Sequence, residues 1–518
     1  MHRHVLKLIL FTGTIAVAAC VDDAPVAPTP QSITASSVQL AATQNQRKGG
    51  RYLVVFKPGR SAARAVEDEI RTGGGRLEGE HDEAGFAVVS EVSPDAVARL
   101  GRSSDVSSVE PDVEFSIEPM TGAEAIEAGA IGTQSAAAPQ TAALFRRQWN
   151  MRAIAADAAW ASGFLGSPTV RVAILDTGID YRWPDLDGRV DLSRSISLRP
   201  DEDARLADAI AAGWFGPTNL QLHPITDLNA HGTLVASIVA SNAIVFAGVT
   251  SQTTLFGVKV CIVFNTCSTA AVLNGIVYAV DHGADVINMS LGGTFLKSGN
   301  QGFVAVINSV FNYANRHGTV IVVAAGNAAA NMDANRTVYF AYCDSPHVLC
   351  VSATGPAAAA GANGPFTDVD AFAPYSNYGR SISVAAPGGG VTSVGTLVSG
   401  PCSQTSLFWH QPPPPSPGAP LPPPVIDGPL CPSSVGLFLV RGNGTSFSSP
   451  HVAGVAASVI AAQGHSQAAE VRKLVERTSD DLGARGKDPL YGRGRVNAAR
   501  ALAGMEGEQV AEGRRVIP

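Results

Sequence analysis

Charge is scarce in this chain: Asp, Glu, Lys and Arg make up 16% of 518 residues, against 45% hydrophobic ones. That balance is ample for a large buried core, and the length exceeds one ordinary domain, so two folded units with linkers are expected. Positive charge is not in excess, with 37 basic and 44 acidic residues and a formal net charge of -7, which gives no reason to expect nucleic-acid binding. The apolar run 8–17 is too short to span a membrane. Cys and His nowhere fall at metal-binding spacing, and no internal repeat stands out. What abounds is Gly and Pro, 53 and 33 residues, so turns and irregular loops are numerous.

Basic residues at His2, Arg3, His4 and Lys7 precede the apolar run, and Ala18-Ala19-Cys20 follows it, so residues 1–20 read as a secretory signal peptide. Val17-Ala18-Ala19-Cys20 resembles a bacterial lipobox, in which the cysteine is lipidated and becomes the mature N-terminus; ordinary cleavage after a small residue is the alternative. An exported protein is expected, extracellular or in the cell envelope, with membrane attachment through Cys20. Of the seven cysteines, six remain when Cys20 is set aside, an even number that argues for disulfides. They fall in sequence-close couples, Cys261 with Cys267, Cys343 with Cys350 and Cys402 with Cys431, though other connectivities stay open.

Residues 21–48 are rich in Pro, Ala, Ser, Thr and Gln without periodicity and read as a flexible tether. Between 51 and 116, strands at 52–56, 85–89 and 106–113, helices at 62–71 and 94–100, and one further strand near Leu77 give a βαββαβ order, a small ferredoxin-like α+β domain. Residues 117–147 are a second linker. From 148 to 505 the fold class is α/β. Apolar strands at 170–175, 255–260, 286–289, 320–323, 348–352 and 382–385 alternate with helices at 232–241, 270–282, 303–316 and 446–463. Strands apolar on both faces imply a mainly parallel sheet flanked by helices on each side. The proline-rich segment 411–424 cannot join a sheet and reads as an exposed loop between Cys402 and Cys431; residues 506–518 form a tail.

Four polar residues stand where such a sheet forms sites, at the carboxyl ends of strands or at helix starts. Ser446 opens an apolar small-residue helix, where unpaired N–H groups suit a developing oxyanion. A serine hydroxyl is a poor nucleophile unless an imidazole takes its proton and a carboxylate fixes that imidazole's tautomer. His231 begins a buried helix, Asp176 directly follows strand 170–175, and Asn327 follows strand 320–323 with an amide able to donate to negative charge. Each has a plain structural alternative: an N-cap for Ser446, a packed histidine, a turn aspartate, a turn asparagine. Their joint occurrence favours chemistry.

The sequence resembles the subtilisin family of serine endopeptidases. The resemblance rests on Asp176-Thr177-Gly178, His231-Gly232-Thr233, the run 285–292 ending Ser290-Leu291-Gly292, Ala324-Ala325-Gly326-Asn327 and Gly444-Thr445-Ser446 with Ser449-Pro450-His451, and it covers roughly 148–503. It implies Ser446 as nucleophile, His231 as general base and acid, and Asp176 as the orienting carboxylate. It also implies an oxyanion hole from Asn327 and the Ser446 N–H, and a cleft lined by Ser290, Leu291, Gly292, Ala324, Ala325 and Gly326. Protein or peptide substrates would bind by strand addition. Residues 51–116 resemble the family's inhibitor-type propeptide, implying an intramolecular inhibitor and self-cleavage in the linker. No cofactor is required for the chemistry, and a monomer is expected.

Leu234 and Phe447 depart from the family pattern and are read as apolar changes remote from the reaction. Residues 241–250 match the family's calcium loop poorly, whereas Asp185 is retained as the candidate ligand of a structural calcium. Two other readings remain: a catalytically silent peptide-binding module, and an esterase, which would not need a propeptide.

Overall fold

The computed structural model describes residues 50–518 apart from 62, 118–120, 128, 130, 133, 134, 335, 417, 418, 465, 466 and 511–514. The segment 1–20 with Cys20 and the tether 21–48 lie outside the described residues.

The first unit contains β1 (Tyr52–Phe56), α1 (Ala63–Gly73), β2 (Arg76–His81), β3 (Phe86–Ser90), α2 (Pro94–Leu100) and β4 (Val106–Pro111). Its antiparallel sheet has the order β2-β3-β1-β4. Alternation along β1 decides what each face covers. Val54 and Phe56 join Val66, Ala96 and Leu100 in a core under the two helices. Leu53 and Val55, with Phe86 and Val88, point the other way into the core of the large unit. That second face rests on α4 (Thr269–Asp281) and α5 (Gln301–Arg316). There His81 Nε2 lies 2.7 Å from Asn274 Oδ1, and Ser309 donates to the Ala84 carbonyl.

The large unit is built on seven strands: β7 (Arg171–Asp176), β8 (Ile196–Ser197), β9 (Thr254–Lys259), β11 (Val286–Met289), β12 (Val320–Ala324), β13 (Val348–Thr354) and β14 (Val384–Pro387). They pair in the order β14-β13-β12-β11-β7-β9-β8, every neighbour parallel. Both faces are covered, which is why these runs are continuously apolar rather than alternating. In β7, Val172 and Ile174 enter one core while Ala173 and Leu175 enter the other. Helix α3 (His231–Val239) and helix α6 (Thr445–Gln463) lie on the first face, and α6 is buried on all sides from Thr445 to Ile460, as its Ala, Val and Gly content permits.

Three disulfides join Cys261 to Cys267, Cys343 to Cys350 and Cys402 to Cys431. The last closes the base of a hairpin, Leu407–His410 with Val425–Pro429, whose tip is the proline-rich segment.

The segment 117–147, read as a second linker, contains a paired strand. After β5 (Glu114–Ser116), which pairs antiparallel with β10 (Thr266–Ser268), the chain forms β6 (Thr121–Ile126) antiparallel to β16 (Leu437–Gly442), itself paired with β15 (Val398–Pro401). Only Thr121 and Ile126 in Thr-Gly-Ala-Glu-Ala-Ile favour a strand, against Gly, Glu and two Ala that do not; the edge of β16 supplies the hydrogen bonds that make it one.

Candidate active site

Parallel strands carry their carboxyl ends to one edge of the sheet, and β7 delivers Asp176 there as its last residue. Helix α3 begins beside it with His231. The two turns press backbone against backbone. A Cβ on Gly232 would stand 2.2 Å from Gly178 O, and one on Gly178, at φ +120°, would stand 2.3 Å from Ile225 O. That contact explains the glycine of both Asp-Thr-Gly and His-Gly-Thr.

Asp227 fixes the start of α3. Its Oδ1 accepts from Thr177 Oγ1 (2.9 Å), Asn229 N and Ala230 N, and its Oδ2 accepts from the Thr233 N–H and hydroxyl (2.9 and 2.6 Å). Thr177 Oγ1 in turn accepts from Gly232 N. These bonds satisfy helix N–H groups that have no partner within the helix, and they hold the turn although Ala230 sits at φ 99°, a left-handed conformation unusual for alanine. Sequence reading missed this role of Asp227; its place four residues ahead of the histidine, with Thr233 beyond, was the available signal.

His231 Nδ1 donates to Asp176 Oδ1 at 2.7 Å, and both side chains are buried. Burial is the largest single influence and lowers the imidazole's pKa, but the charge and hydrogen bond of Asp176 together with the charge of Asp227 raise it above the ordinary 6.5. Among the described residues, His231 Nε2 and Asp176 Oδ2 are buried polar atoms without a hydrogen-bond partner. An unpartnered Nε2 on an imidazole whose Nδ1 is bound to a carboxylate is free to accept a proton.

Ser446 is the second residue of α6, and the ring of its neighbour Phe447 lies 5.8 Å, centroid to centroid, from that of His231. Phe447, expected to be remote from the reaction, is therefore a wall of the imidazole's site, whereas Leu234 is a core residue. The Ser446 hydroxyl donates to Ser290 O at 3.1 Å. Pro450 lies four residues after Ser446 and has no N–H to give to the Ser446 carbonyl. Ser290 Oγ takes that place, donating to Ser446 O at 2.6 Å, and contacts Ser449 Oγ at 3.0 Å. The Ser290 side chain thus braces the turn that carries Ser446, a role beyond the cleft lining expected of it.

Asn327 Oδ1 accepts from the Thr445 N–H (2.8 Å) and hydroxyl (2.9 Å). With its oxygen engaged by donors, the Asn327 amide has its Nδ2 available to an acceptor. A cavity of about 180 Å³ joins Asn327 and Ser446 to all six expected cleft residues, Ser290, Leu291, Gly292, Ala324, Ala325 and Gly326. Asn377, which sequence reading did not single out, holds the loop beyond strand β12: its Oδ1 accepts from Ala328 N and Ala330 N, and its Nδ2 donates to Ala325 O. It lies some fifty residues from that loop, and nothing local marks it.

Ser116 and Ile117 line the same cavity. Ile117 N donates to Asn265 O at 2.8 Å, extending the pairing of β5 with β10. Phe115 sits on Gly293, where a Cβ would meet its own at 3.0 Å, and edge-on to Tyr342. Thr121 lies opposite Arg441, five residues before Ser446.

Asp185 does not fit a structural calcium. Its carboxylate accepts the backbone N–H groups of Ile244, Val245 and Phe246 at 2.7–2.9 Å and the Trp183 indole at 3.3 Å. A cation requires those same lone pairs, and the positive ends of four N–H dipoles already occupy them. The segment 241–250 departs from a calcium loop because its backbone folds onto the aspartate directly. Among the described residues no group of three or more His, Cys, Asp or Glu could hold a metal.

The family model described as "Subtilase family" matches residues 167–494. Thermitase of Thermoactinomyces vulgaris is 30% identical over 359 residues, which cover 69% of this chain and 96% of thermitase. Subtilisin J of Geobacillus stearothermophilus is 27% identical over 472 residues, 90% of this chain and 93% of that protein. Among solved structures, the epidermin leader peptide processing serine protease of Staphylococcus aureus has a TM-score of 0.62 at 17% identity, covering 88% of this chain and 98% of its own. Fervidolysin of Fervidobacterium pennivorans has a TM-score of 0.59 at 22% identity, covering 88% of this chain and 61% of its own.

Proposed function

The chain belongs to the subtilase family of serine endopeptidases, and from that membership we propose a self-processed zymogen in which Asp176, His231 and Ser446 form the catalytic triad. Ser446 turns its hydroxyl from Ser290 O to His231 Nε2, loses its proton there and attacks the scissile carbonyl. Asn327 Nδ2 and the Ser446 N–H stabilise the oxyanion, and the imidazolium, held by Asp176, protonates the leaving amine. Water then releases the acyl group by the same steps in reverse roles. The chemistry needs no cofactor.

The observation that carries this reading is the pairing of the chain up to Ile117 and again from Thr121. Residues up to Ile117 pair with one edge of the site and residues from Thr121 pair with β16 on the other. The chain therefore lies like a substrate on both sides of the nucleophile, and self-cleavage falls between Ile117 and Thr121. Residues 51–116 act as the propeptide: parallel sheets with long-range pairing fold slowly, and a small domain docked on α4 and α5 can template them and then block the cleft. The protein is exported as a monomer, with Cys20 attaching the precursor to the membrane until the propeptide is released. A fluorophosphonate probe and casein test the reading. Wild type is labelled at Ser446 and degrades casein, and Ser446→Ala does neither; casein hydrolysis by Ser446→Ala would overturn the assignment.

A further inference from the structure

Strand β16 runs directly into Asn443-Gly444-Thr445-Ser446, so whatever pairs with its outer edge lies on the leaving-group side of the site. In the whole chain that occupant is β6, in the antiparallel register Leu437 with Ile126, Leu439 with Glu124 and Arg441 with Thr121. Main-chain pairing of this kind accepts any sequence, so selectivity must come from side chains. Two contacts supply it. The Glu124 carboxylate forms ion pairs with both Arg441 and Arg147. The Arg441 and Arg147 side chains are 16% and 21% exposed and Glu124 is 42% exposed, so the pair is partly shielded from water on the arginine side. Two residues on, Ile126 packs into an apolar cluster with Val245, Phe246, Leu437 and Leu439. Arg441 and Arg147 both lie C-terminal to the processing segment and remain with the enzyme after cleavage.

We propose that the outer edge of β16 is a recognition strand for the leaving-group side of substrates, where Arg441, aided by Arg147, selects an Asp or Glu, and the cluster around Phe246 and Leu439 an aliphatic residue two positions further. The proposal rests on the reading that β6 follows the scissile bond. With that bond between 117 and 121, Glu124 is the fourth to seventh residue beyond the cut. Before a substrate binds there, β6 competes for the same edge, so the enzyme's own new N-terminal segment is its first competitor.

A proteome-derived peptide mixture, digested by the processed enzyme and sequenced by mass spectrometry, tests this. Cut sites of the wild type are expected to show Asp or Glu enriched about two- to fivefold at one of those four positions, the range of a partly screened ion pair, with Ile, Leu or Val enriched two positions later. Arg441→Gln removes the acidic preference and Arg441→Glu turns it toward Lys and Arg, each variant normalised to the fraction of Ser446 labelled by a fluorophosphonate. Should Arg441→Glu fail to fold, Arg441→Gln alone decides. No acidic enrichment in the wild type, or the same enrichment in the variants, overturns the proposal. A mature N-terminus outside 118–121 with the enrichment intact would reject the self-processing position and leave the recognition strand standing.

Discussion

The hydroxyl of Ser446 donates to the backbone oxygen of Ser290, and the hydroxyl of Ser290 donates to the backbone oxygen of Ser446, at 3.1 and 2.6 Å. Because Pro450 has no N–H to offer, Ser290→Ala leaves the buried Ser446 carbonyl without that donor and Asn288 Nδ2 without its acceptor at Ser290 Oγ. The expected cost is about 1–3 kcal/mol of stability, the usual penalty for stranding a buried polar group. Thermal melting should show a lowered Tm, and kcat should fall more than KM rises, since the turn that presents Ser446, the proposed nucleophile, loosens. An unchanged Tm and kcat would show that Ser290 only lines the cleft.

On the proposed triad, in which His231 is the base, its raised pKa sets the acid limb of activity. The base must be neutral, so activity is full above the raised pKa and is lost as pH falls through it, at a midpoint above 6.5 rather than below. Asp176→Asn removes the charge that raises the pKa, so it should move the midpoint down and, by leaving the wrong tautomer, cut kcat by about 10⁴-fold. A pH profile of kcat/KM for both proteins checks the sign. A midpoint that stays in place in the variant would contradict it.

Asn327 presents Nδ2 to the site because Oδ1 is engaged by Thr445. Asn327→Ala should lower kcat about 10²- to 10³-fold with little change in KM, the pattern of a donor that matters most in the transition state. Steady-state kinetics on one peptide suffice, and a change confined to KM would assign Asn327 to ground-state binding instead.

Asp185 is predicted to hold its loop without calcium. Tm should be the same in EDTA and in millimolar calcium, whereas Asp185→Ala strands buried N–H groups and should cost about 3 kcal/mol or more. Calorimetry with and without the ion makes the test. A calcium-dependent rise in Tm that disappears in Asp185→Asn would restore the metal.

The Cys261–Cys267 bridge closes the loop that presents Asn265 O and β10 to an extended chain, and Asn229 ties that loop to His231 by donating to Val263 O and Asn265 Oδ1 while accepting from His231 N. Replacing both cysteines with alanine should raise KM for long peptides severalfold and leave hydrolysis of a small ester little changed. An equal loss on both substrates would mean that the bridge supports the triad itself.

What was legible in the sequence was whatever is written locally. Strands such as 286–289 and 320–323 stand out because burial on both faces demands unbroken apolar runs, and Asp176, His231, Asn327 and Ser446 stand out because each follows a strand or opens a helix. Less legible was whatever depends on residues far apart meeting. Asp227 holds Thr177 fifty positions away, Asn377 holds the loop after Ala325, and β6 is a strand only because β16 is beside it. Asp185 misled for the same reason, since a carboxylate suited to a cation is equally suited to three backbone N–H groups, and only the folded course of 244–246 decides between them.

The most direct test of the account is the N-terminal sequence of purified wild-type and Ser446→Ala full-length protein, each incubated without any other protease. The account predicts a new wild-type N-terminus within residues 118–121 and an uncut Ser446→Ala chain. Cleavage of the Ser446→Ala chain at the same bond would contradict it.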